Sequence, residues 1–523
     1  MKRVGSSRKG FTVVELIIVV VVIAILAAVV LVAYGLVTKN AHDTSVKSDG
    51  SAIRDALGLY GTKHGSTYTA WSSSNPAPDG LDIKVSEGNQ ADVSVSDDGK
   101  DWCVRVFNTQ GNLNNADSAY TVESKAGVCT NTVPSDDAYA AAITRGWKRV
   151  VAGSYHTCGV SYDNKAYCWG ARDNSQGGNG SATNSGTPLP ITANGAIGNR
   201  PIYRLSGAGY GSCATDTSYQ VYCWGQDTYG QLGNDATLAD SNVPVRVNDA
   251  GVLLNKKNII VSSGTWHSCT VTLDYSASCW GINSSGNIGD GTTANRSTPV
   301  AVNAGSLSGL SLRDIVGGPY NGCAIDTSNQ LYCWGNNAYG QLGNGSTTST
   351  NSATPVSTSG ALSGKTIRKV SLYDQTCAIA SDAKAYCWGR NPYGAVGNGT
   401  TTNALSPVAV STTGVLGGKK MTSIAAGLYS TCALSDEGKA YCWGYNSNGQ
   451  LGNNSTTNSS SPVAVVDTGV LAGKYLWSIT AGADFYCAQA TDGNAYCWGR
   501  NVYGQLGNGA MTNSLVPVKV LNP

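Results

Sequence analysis

The chain has 523 residues, which is enough for several domains, and only 13% of them are charged, about half the usual share for a soluble domain. A formal net charge of +2 gives no electrostatic reason to expect binding to nucleic acid or to an acidic membrane surface. Sixteen cysteines and 65 glycines accompany only three phenylalanines and three methionines, and this composition favours an all-β protein in an oxidising compartment outside the cytosol.

The N-terminus combines a basic segment with an apolar one. Residues 1–10 contain no acidic residue, and Glu15 and Tyr34 are the only ionisable residues of the segment 11–37. The uncharged run from Leu16 to Tyr34 would span about 28 Å as a helix, enough to cross a membrane with the basic end in the cytoplasm. No small-residue cleavage site ends the run, which argues against an ordinary secretory signal. A plain membrane anchor leaves Glu15 unexplained, because a carboxylate within an apolar segment is costly.

The string KGFTVVELIIVVVVIAILAAV resembles the leader and first helix of type IV pilins and type II secretion pseudopilins. The resemblance implies that a prepilin peptidase cuts after Gly10 and methylates the new N-terminus at Phe11. It also implies that Glu15 pairs with the terminal amine of a neighbouring subunit, so that other pilin subunits are the partners of this helix. The protein would first sit in the inner membrane as a single-pass protein with its C-terminal part outside the cell, and then on a pilus or the cell surface.

The apolar pattern continues beyond the membrane segment. Apolar residues recur at helical spacing from Val46 to Tyr60. We therefore expect one pilin-type helix over residues 11–71, with its transmembrane and assembly part at about 11–37. Gly50, Gly58 and Gly61 weaken its second half and leave its end poorly defined.

A small β region is predicted for residues 72–134. Four short alternating runs, LDIKVS, ADVSVS, WCVRVF and AYTVES, are separated by turn residues. Cys103 and Cys129 flank its last part and resemble the C-terminal disulfide loop of small pilin domains, which implies that these two cysteines pair. A linker is expected at 135–146.

From Trp147 onward the chain repeats one unit seven times. Each unit contains a string close to AYCWG, with a second cysteine ten residues before that of the string, and four short predicted strands. Four strands per repeat are typical of a β-propeller blade, so residues 147–523 are predicted to form a seven-bladed propeller and the fold class is mainly β. The cysteine pairs are Cys158–Cys168, Cys213–Cys223, Cys269–Cys279, Cys323–Cys333, Cys377–Cys387, Cys432–Cys442 and Cys487–Cys497.

The constant cysteine spacing predicts disulfides. Residues ten apart around a three-residue hairpin turn lie opposite each other on adjacent antiparallel strands, close enough for a disulfide. Seven pairs of buried free thiols remain the alternative. Zinc binding is disfavoured because the gap between the two cysteines matches no common ligand spacing.

The repeats resemble those of the regulator of chromosome condensation family, as GSYHTCGV, GTWHSCTV and YCWGNNAYGQLGNG illustrate. This resemblance implies a rigid propeller that serves protein binding. The cysteine pairs depart from the nuclear members and fit an oxidising location. The first repeat opens without a preceding PVxV strand and the chain ends on VPVKVL (516–521). We therefore expect this last strand to complete the first blade and close the ring.

The sequence shows no catalytic constellation, so we expect no enzymatic activity, no metal and no cofactor. His156 and His267 occupy a repeat position that we align with Tyr429 of the sixth repeat, which favours a packing role. No loop stands out by length or aromatic content, so no binding face is predicted.

The expected function is that of a surface-exposed, minor or tip pilin-like subunit whose propeller serves adhesion or binds an extracellular protein or glycan. One alternative is a pseudopilin of a type II secretion or DNA-uptake system. A second alternative is an anchored inhibitor of a secreted enzyme. A nucleic-acid partner is not expected.

Overall fold

The chain divides into two compact units, Met1–Ala141 and Ala142–Pro523. In the second unit, the computed structural model describes residues 146–523 with three internal gaps, at 192–194, 236–237 and 303. In the first unit it describes the backbone of four short strands. Among all these residues, no helix has the length and apolar character needed to cross a membrane.

Several sequence predictions concern residues outside this part of the chain. They are the leader with its cleavage site at Gly10 and Phe11, the assembly residue Glu15, and the long N-terminal helix. Cys129 also lies outside, so the pairing of Cys103 with Cys129 stays a prediction.

The four strands of the first unit form one antiparallel sheet in the order β1-β2-β3-β4. Three of the predicted alternating runs coincide with β2, β3 and β4, whereas the run LDIKVS lies outside the described residues. The bounds are β1 (Trp71–Ser72), β2 (Asn89–Val95), β3 (Trp102–Asn108) and β4 (Tyr120–Glu123).

The second unit is a seven-bladed β-propeller, which confirms the fold predicted from the repeats. Every blade is an antiparallel sheet of four strands that are consecutive in the chain, and we call them the first to fourth strands of that blade. The first three blades are β5 (Trp147–Ala152), β6 (His156–Ser161), β7 (Ala166–Gly170) and β8 (Ser185–Pro190); β9 (Ile202–Gly207), β10 (Gly211–Asp216), β11 (Val221–Gly225) and β12 (Ser241–Arg246); and β13 (Asn258–Ser263), β14 (His267–Thr272), β15 (Ala277–Gly281) and β16 (Arg296–Ala301).

The remaining blades follow the same plan. Short 3-10 helices at Gly251–Leu253, Gly360–Leu362 and Gly469–Leu471 lie in three of the connections between blades. Blades four to seven are β17 (Leu312–Gly317), β18 (Asn321–Asp326), β19 (Leu331–Gly335) and β20 (Thr350–Pro355); β21 (Ile367–Leu372), β22 (Gln375–Ala380), β23 (Ala385–Gly389) and β24 (Ala404–Ala409); β25 (Met421–Ala426), β26 (Ser430–Ser435), β27 (Ala440–Gly444) and β28 (Ser459–Ala464); and β29 (Leu476–Ala481), β30 (Phe485–Ala490), β31 (Ala495–Gly499) and β32 (Ser514–Lys519).

The hydrophobic core lies between neighbouring blades. One core cluster combines Cys158 and Val160 of the first blade with Leu205 and Trp224 of the second. The first strands of all seven blades line a central cavity of about 250 Å³. Each blade therefore buries one face against the blade before it and the other against the blade after it, and the inner strands surround a channel.

A tryptophan hydrogen bond marks every junction between blades. The tryptophan of each CWG string donates its Nε1–H to a backbone carbonyl in the turn that follows the third strand of the preceding blade. The pairs, tryptophan first, are Trp169–Gln505 (3.0 Å), Trp224–Gln176 (3.0 Å), Trp280–Gln231 (2.9 Å), Trp334–Asn287 (2.8 Å), Trp388–Gln341 (3.0 Å), Trp443–Ala395 (2.8 Å) and Trp498–Gln450 (3.0 Å).

The ring closes at the junction between the seventh and first blades, and the predicted closure by strand exchange is wrong. The last strand, β32, pairs with β31 in the seventh blade, and the first blade has its own fourth strand, β8. Closure instead uses the contact found at the other junctions, the bond from Trp169 to Gln505. Trp147 adds a bond from its Nε1 to the carbonyl of Leu521 (3.2 Å). Because each repeat supplies a whole blade, no strand has to cross the junction.

The seven predicted cysteine pairs are disulfides in the structure. Each joins the second and third strands of one blade at directly opposite positions, as in the register of Cys432 with Cys442. The Cα atoms are 4.0–4.1 Å apart and all fourteen cysteines are buried. The seven disulfides therefore lie inside the hydrophobic core.

Candidate ligand-binding face

One face of the propeller is built from two loops of every blade. The loop between the first and second strands carries a residue whose carbonyl accepts the N–H of the residue that follows the third strand. Tyr155 and Ala171 form this bond in the first blade (2.9 Å), and the equivalent bond exists in all seven blades. The equivalent loop residues are Tyr155, Tyr210, Trp266, Tyr320, Asp374, Tyr429 and Asp484. The sevenfold repetition places all these residues at one level of the same face.

This face collects ten partly exposed aromatic rings. Five come from the loop between the first and second strands, and five from the segment after the third strand. We call it the aromatic face, and its rings are Tyr155, Tyr210, Trp266, Tyr320 and Tyr429 from the first group and Tyr229, Tyr339, Tyr393, Tyr445 and Tyr503 from the second.

Half of these rings form a continuous arc over the junction where the propeller closes. Tyr503 packs 5.9 Å from Tyr155, which lies 6.1 Å from Tyr210. Tyr210 lies 4.8 Å from Trp266, and Trp266 lies 5.7 Å from Tyr229, all measured between ring centroids. The rings meet edge-on or tilted, the geometry that aromatic pairs prefer, so each ring holds its neighbour in place.

A second group of rings lies on the fifth and sixth blades. Tyr393 packs 5.4 Å from Tyr429 and 4.8 Å from Tyr445. The guanidinium of Arg390 lies 4.6 Å from the ring centroid of Tyr339 and 4.8 Å from that of Tyr429. Cation–π contacts of this kind fix the arginine between two rings.

Two arginine–aspartate pairs occupy equivalent places in the fifth and seventh blades. Arg390 binds the carboxylate of Asp374 at 2.8 Å, and Arg500 approaches that of Asp484 at 3.5 Å. Burial raises the pKa of both carboxyl groups, and the adjacent arginines oppose this rise. Each of these two arginines neutralises the acid beside it, and the exposed Asp173 adds a negative charge near Tyr210.

Side-chain hydroxyl groups accept hydrogen bonds from backbone N–H groups of the first strands, which form the inner edge of the blades around the central channel. A serine or threonine near the end of a first strand accepts the backbone N–H of the next blade, which leaves fewer free donors on these edge strands. The pairs, hydroxyl first, are Ser206–Ser263 (2.9 Å), Ser262–Gly317 (3.1 Å), Ser371–Ala426 (3.0 Å) and Thr480–Ala152 (3.1 Å).

Tyr373 narrows the end of this channel. The strand register makes Ala152 and Leu372 equivalent, as the last residues of the first strands of the first and fifth blades. The loop that follows this residue is one residue shorter in the fifth blade than in the first. The hydroxyl of Tyr373 therefore lies 3.4 Å from Ser154 Oγ of the first blade. Burial raises the pKa of Tyr373, so its hydroxyl group is neutral and can hydrogen-bond to Ser154 across the end of the channel.

The two histidines singled out in the sequence are packing residues. His156 is fully buried, and its Nε2 lies 2.7 Å from Ser212 Oγ. Burial lowers the pKa of His156 to about 3 and that of His267 to about 4, so both are neutral. Their alignment with Tyr429 is wrong, because the strand register makes Ser430 the counterpart of His156. In the part of the chain that the structure describes, no group of three potential metal ligands is present.

The aromatic face contradicts the expectation that aromatic content distinguishes no loop. The signal in the sequence is periodic rather than local. An aromatic residue stands three positions before the first cysteine in five repeats, as Tyr155 does before Cys158, and a tyrosine stands six positions after the second cysteine in four, as Tyr503 does after Cys497. Only the folded ring shows that these two positions meet.

Comparison with protein families identifies the modules of the chain. The model of the RCC1-like domain matches residues 108–477, and models of the regulator of chromosome condensation (RCC1) repeat match residues 478–505 and 492–523. The model of the prokaryotic N-terminal methylation motif matches residues 5–31.

Individual relatives and structures support the same assignment of the propeller. The chain is 26% identical over 372 residues to the ultraviolet-B receptor UVR8 of Arabidopsis thaliana, which covers 70% of this chain and 80% of that receptor. It is 27% identical over 360 residues to the human E3 ubiquitin-protein ligase HERC2, which covers 68% of this chain and 7% of the ligase. The crystal structure of human WBSCR16 (TM-score 0.59, 20% identity) covers 68% of this chain and 93% of that chain. Yeast RCC1 (Prp20), bound to Kap60 (TM-score 0.60, 18% identity), covers 71% and 87%, and both show the same fold.

Proposed function

Because the chain belongs to the family of proteins with an RCC1-like domain and carries a prokaryotic N-terminal methylation motif, we propose that it is a pilin-like surface subunit that displays its propeller for binding. The finer form of the proposal is a minor or tip subunit whose aromatic face binds an extracellular ligand. We expect this ligand to be a protein, with a glycan as the other outcome of the test.

The N-terminal motif supports export and assembly. Processing after Gly10 and methylation of Phe11 would leave a helix that can join a filament through Glu15. The protein would pass from the inner membrane to a pilus or the cell surface. A propeller of about 380 residues on every subunit would crowd a filament shaft, which favours a minor or tip position.

The composition of the aromatic face supports binding through it. Tyrosine, tryptophan and arginine dominate the energetic centres of protein interfaces, and charged residues without partners are depleted there. Rings that hold each other in place also lose little conformational freedom when a partner binds. This combination is the single observation that carries the proposal.

The position of the entering chain fits this use of the face. The N–H of Trp147 donates to the carbonyl of Gly493 (2.7 Å), in the turn between the second and third strands of the seventh blade. Such turns lie at the end of each blade opposite the aromatic face, because the first strand runs from one face to the other. Trp147, the first residue of β5, thus lies at the end of the propeller opposite the rings.

The test of binding compares matched aromatic substitutions. Full-length protein in detergent is first screened on protein and glycan arrays, and the affinity for each ligand found is then measured. Trp266→Ala and Tyr155→Ala should each weaken binding at least tenfold, because both rings belong to the arc. Tyr475→Ala is the control, because Tyr475 lies on the opposite face and is 39% exposed, and it should bind as the unmodified protein does. Equal affinities of all variants would exclude the aromatic face as the binding site.

The test of assembly uses the N-terminal motif. Gly10→Val should retain the leader, which mass spectrometry of the membrane fraction detects, and Glu15→Val should be processed but absent from sheared filaments. Immunogold labelling then locates the subunit. Label along every pilus would contradict the minor or tip position. Loss of secretion or DNA uptake on deletion, with binding intact, would favour a pseudopilus instead.

A further inference from the structure

One register position of the seven first strands forms a ring in the wall of the central cavity. Each residue at this position pairs with the first cysteine of its blade, as Ser206 pairs with Cys213. All seven residues line the cavity. We call them the inner ring, and in blade order they are Val151, Ser206, Ser262, Val316, Ser371, Ala425 and Thr480.

Four members of the inner ring carry a hydroxyl group whose oxygen is held in place. Each oxygen accepts a backbone N–H from the first strand of the next blade, as Ser371 accepts that of Ala426 (3.0 Å). A hydroxyl that accepts one hydrogen bond still has its own proton to donate. Among the residues that the structure describes, none accepts a hydrogen bond from these four hydroxyls. Blades two, three, five and seven therefore each keep one donor for a molecule in the cavity.

The backbone of the first strands adds further polar groups to the cavity wall. The first strand is an edge of its sheet in every blade, and an edge strand presents N–H and C=O groups that no neighbouring strand pairs. At three junctions the inner-ring residue is a valine or an alanine, whose side chain cannot accept a hydrogen bond. The backbone donors at these junctions, which lack a hydroxyl acceptor and also line the cavity, are the N–H groups of Gly207, Leu372 and Ala481.

The cavity wall is uncharged and has both polar and aliphatic parts. Among the described residues that line the cavity, none has a charged side chain. Leu205, Val370 and Ile479 add aliphatic groups beside the inner ring. An ion in the cavity would lose its hydration without meeting an opposite charge, which is costly. The wall therefore favours a neutral ligand that has hydrogen-bonding groups as well as apolar surface.

The size of the cavity limits this ligand to a small molecule. The volume of about 250 Å³ corresponds to about eight water molecules at about 30 Å³ each. A monosaccharide displaces a similar number of waters. Its hydroxyl groups donate and accept hydrogen bonds, so they can replace those of the displaced waters, and its C–H groups can pack on the aliphatic parts of the wall, which water cannot use.

We propose that the central cavity binds a neutral, polyhydroxylated ligand of monosaccharide size. The hydroxyls of Ser206, Ser262, Ser371 and Thr480 donate to the oxygens of the ligand, and backbone carbonyls of the strand edges accept from its hydroxyl groups. A free sugar and the terminal residue of a larger glycan share this chemistry. The site is separate from the aromatic face and does not depend on the function proposed for that face.

The test uses full-length protein in a detergent without a sugar head group. Saturation-transfer NMR titrations are carried out with D-glucose, D-galactose and D-mannose in turn, and at least one of them should bind saturably with a Kd below about 10 mM. Ser206→Ala and Ser371→Ala should each weaken this binding about three- to tenfold, because each removes one donor. Ser371→Thr keeps the hydroxyl and should bind as the unmodified protein does, since Thr480 occupies the equivalent place in the seventh blade.

Controls separate the cavity from other sites on the molecule. Ser359→Ala removes an exposed hydroxyl outside the channel and should change the affinity by less than about twofold. Trp266→Ala should also leave monosaccharide binding unchanged, because this ring belongs to the aromatic face. The uronate of the sugar that binds should bind at least about tenfold more weakly, because its carboxylate meets no cation in the cavity.

An oligosaccharide that ends in the same sugar identifies the source of the ligand. Tighter binding of the oligosaccharide would indicate the terminus of a glycan, and equal or weaker binding would indicate a free sugar, and both results support the site. No saturable binding of any of the three sugars up to about 50 mM would overturn the proposal. Equal affinities of Ser371→Ala and Ser359→Ala, loss of binding in Trp266→Ala, or a uronate that binds as tightly as the neutral sugar would also overturn it.

Discussion

The second blade carries an aspartate where five other blades have an asparagine. In those five blades the side-chain carbonyl accepts the N–H five residues later, as Asn337 does from Leu342 (2.9 Å), and the amide donates to backbone carbonyls. Asp227 accepts the N–H of Leu232 in the same way (2.8 Å). An ionised carboxylate has no proton to donate, so the second half of this network is lost when Asp227 is charged.

The expected gain on Asp227→Asn follows from the pKa of the carboxyl group. Asp227 is 1% exposed, and burial is the main cause that raises its pKa from 3.8 to about 6. The folded state therefore binds the proton more tightly than the unfolded state. The stability contributed by the neutral acid is present below about pH 4 and is lost as pH rises through about 6. A shift of about two units corresponds to at most about 3 kcal/mol at pH 8.

The assay is urea unfolding of the propeller unit, followed by tryptophan fluorescence at pH 4 to 8. Asp227→Asn should raise the free energy of unfolding by about 1–3 kcal/mol at pH 8 and by little at pH 4. The matched control is Asp290→Asn. Burial alone would raise the pKa of Asp290, but hydrogen bonds from Thr292 and Arg296 lower it, so this variant should lose stability by a similar amount throughout pH 5 to 8, and the loss should shrink only below about pH 4. A gain for Asp227→Asn that does not change with pH, or a loss at pH 8, would refute the reasoning.

Further predictions concern the contacts between blades and the disulfides, and the change in the free energy of unfolding is measured in urea for each variant. Gly343→Ala should cost about 2–4 kcal/mol, because φ is +67° and the new Cβ would lie 2.5 Å from Trp388 Nε1; Gly345→Ala, with φ +81° and its nearest atom at 3.6 Å, should cost about half as much, and equal costs would contradict the clash. Trp388→Phe removes the junction hydrogen bond and should cost about 1–3 kcal/mol, whereas no loss would show the bond to be dispensable. Replacing both Cys432 and Cys442 by alanine should cost at most about 3 kcal/mol, and collapse of the whole fold would contradict this limit.

The number and register of the blades follow from the sequence because the cysteines impose geometry. Two residues ten apart can form a disulfide across a short hairpin only if they lie opposite each other, so one pair fixes the alignment of two strands. The register of Cys158 with Cys168 then fixes the turn between these two strands as well. This inference needs no contact outside a single repeat, which explains its success.

The closure of the ring depends on contacts that a single repeat does not contain. The fourth strand of the first blade, SGTPLP, lacks the PVxV pattern, yet its backbone pairs with β7 as in the other blades. Outer strands are held by main-chain hydrogen bonds, which place weak demands on side chains. The pattern at 516–521 suggests a fourth strand for the first blade only because the actual fourth strand of that blade lacks the PVxV pattern.

The aromatic face was not visible in the sequence for a related reason. Tyr155 and Tyr503 are far apart in the chain and meet only after the seventh blade packs on the first. Function in a propeller arises from positions that are equivalent around the ring, and equivalence becomes contact only when the ring is complete.

The bond from Trp147 Nε1 to the carbonyl of Leu521 places the entry and exit of the propeller side by side. A short added linker could join the two ends, and the chain could be reopened in any connection between blades, since no strand crosses the closing junction. Circularly permuted forms should therefore fold with the same seven disulfides. Because its two ends are adjacent, the propeller could also be inserted into a surface loop of an unrelated protein, where it should fold as an independent domain.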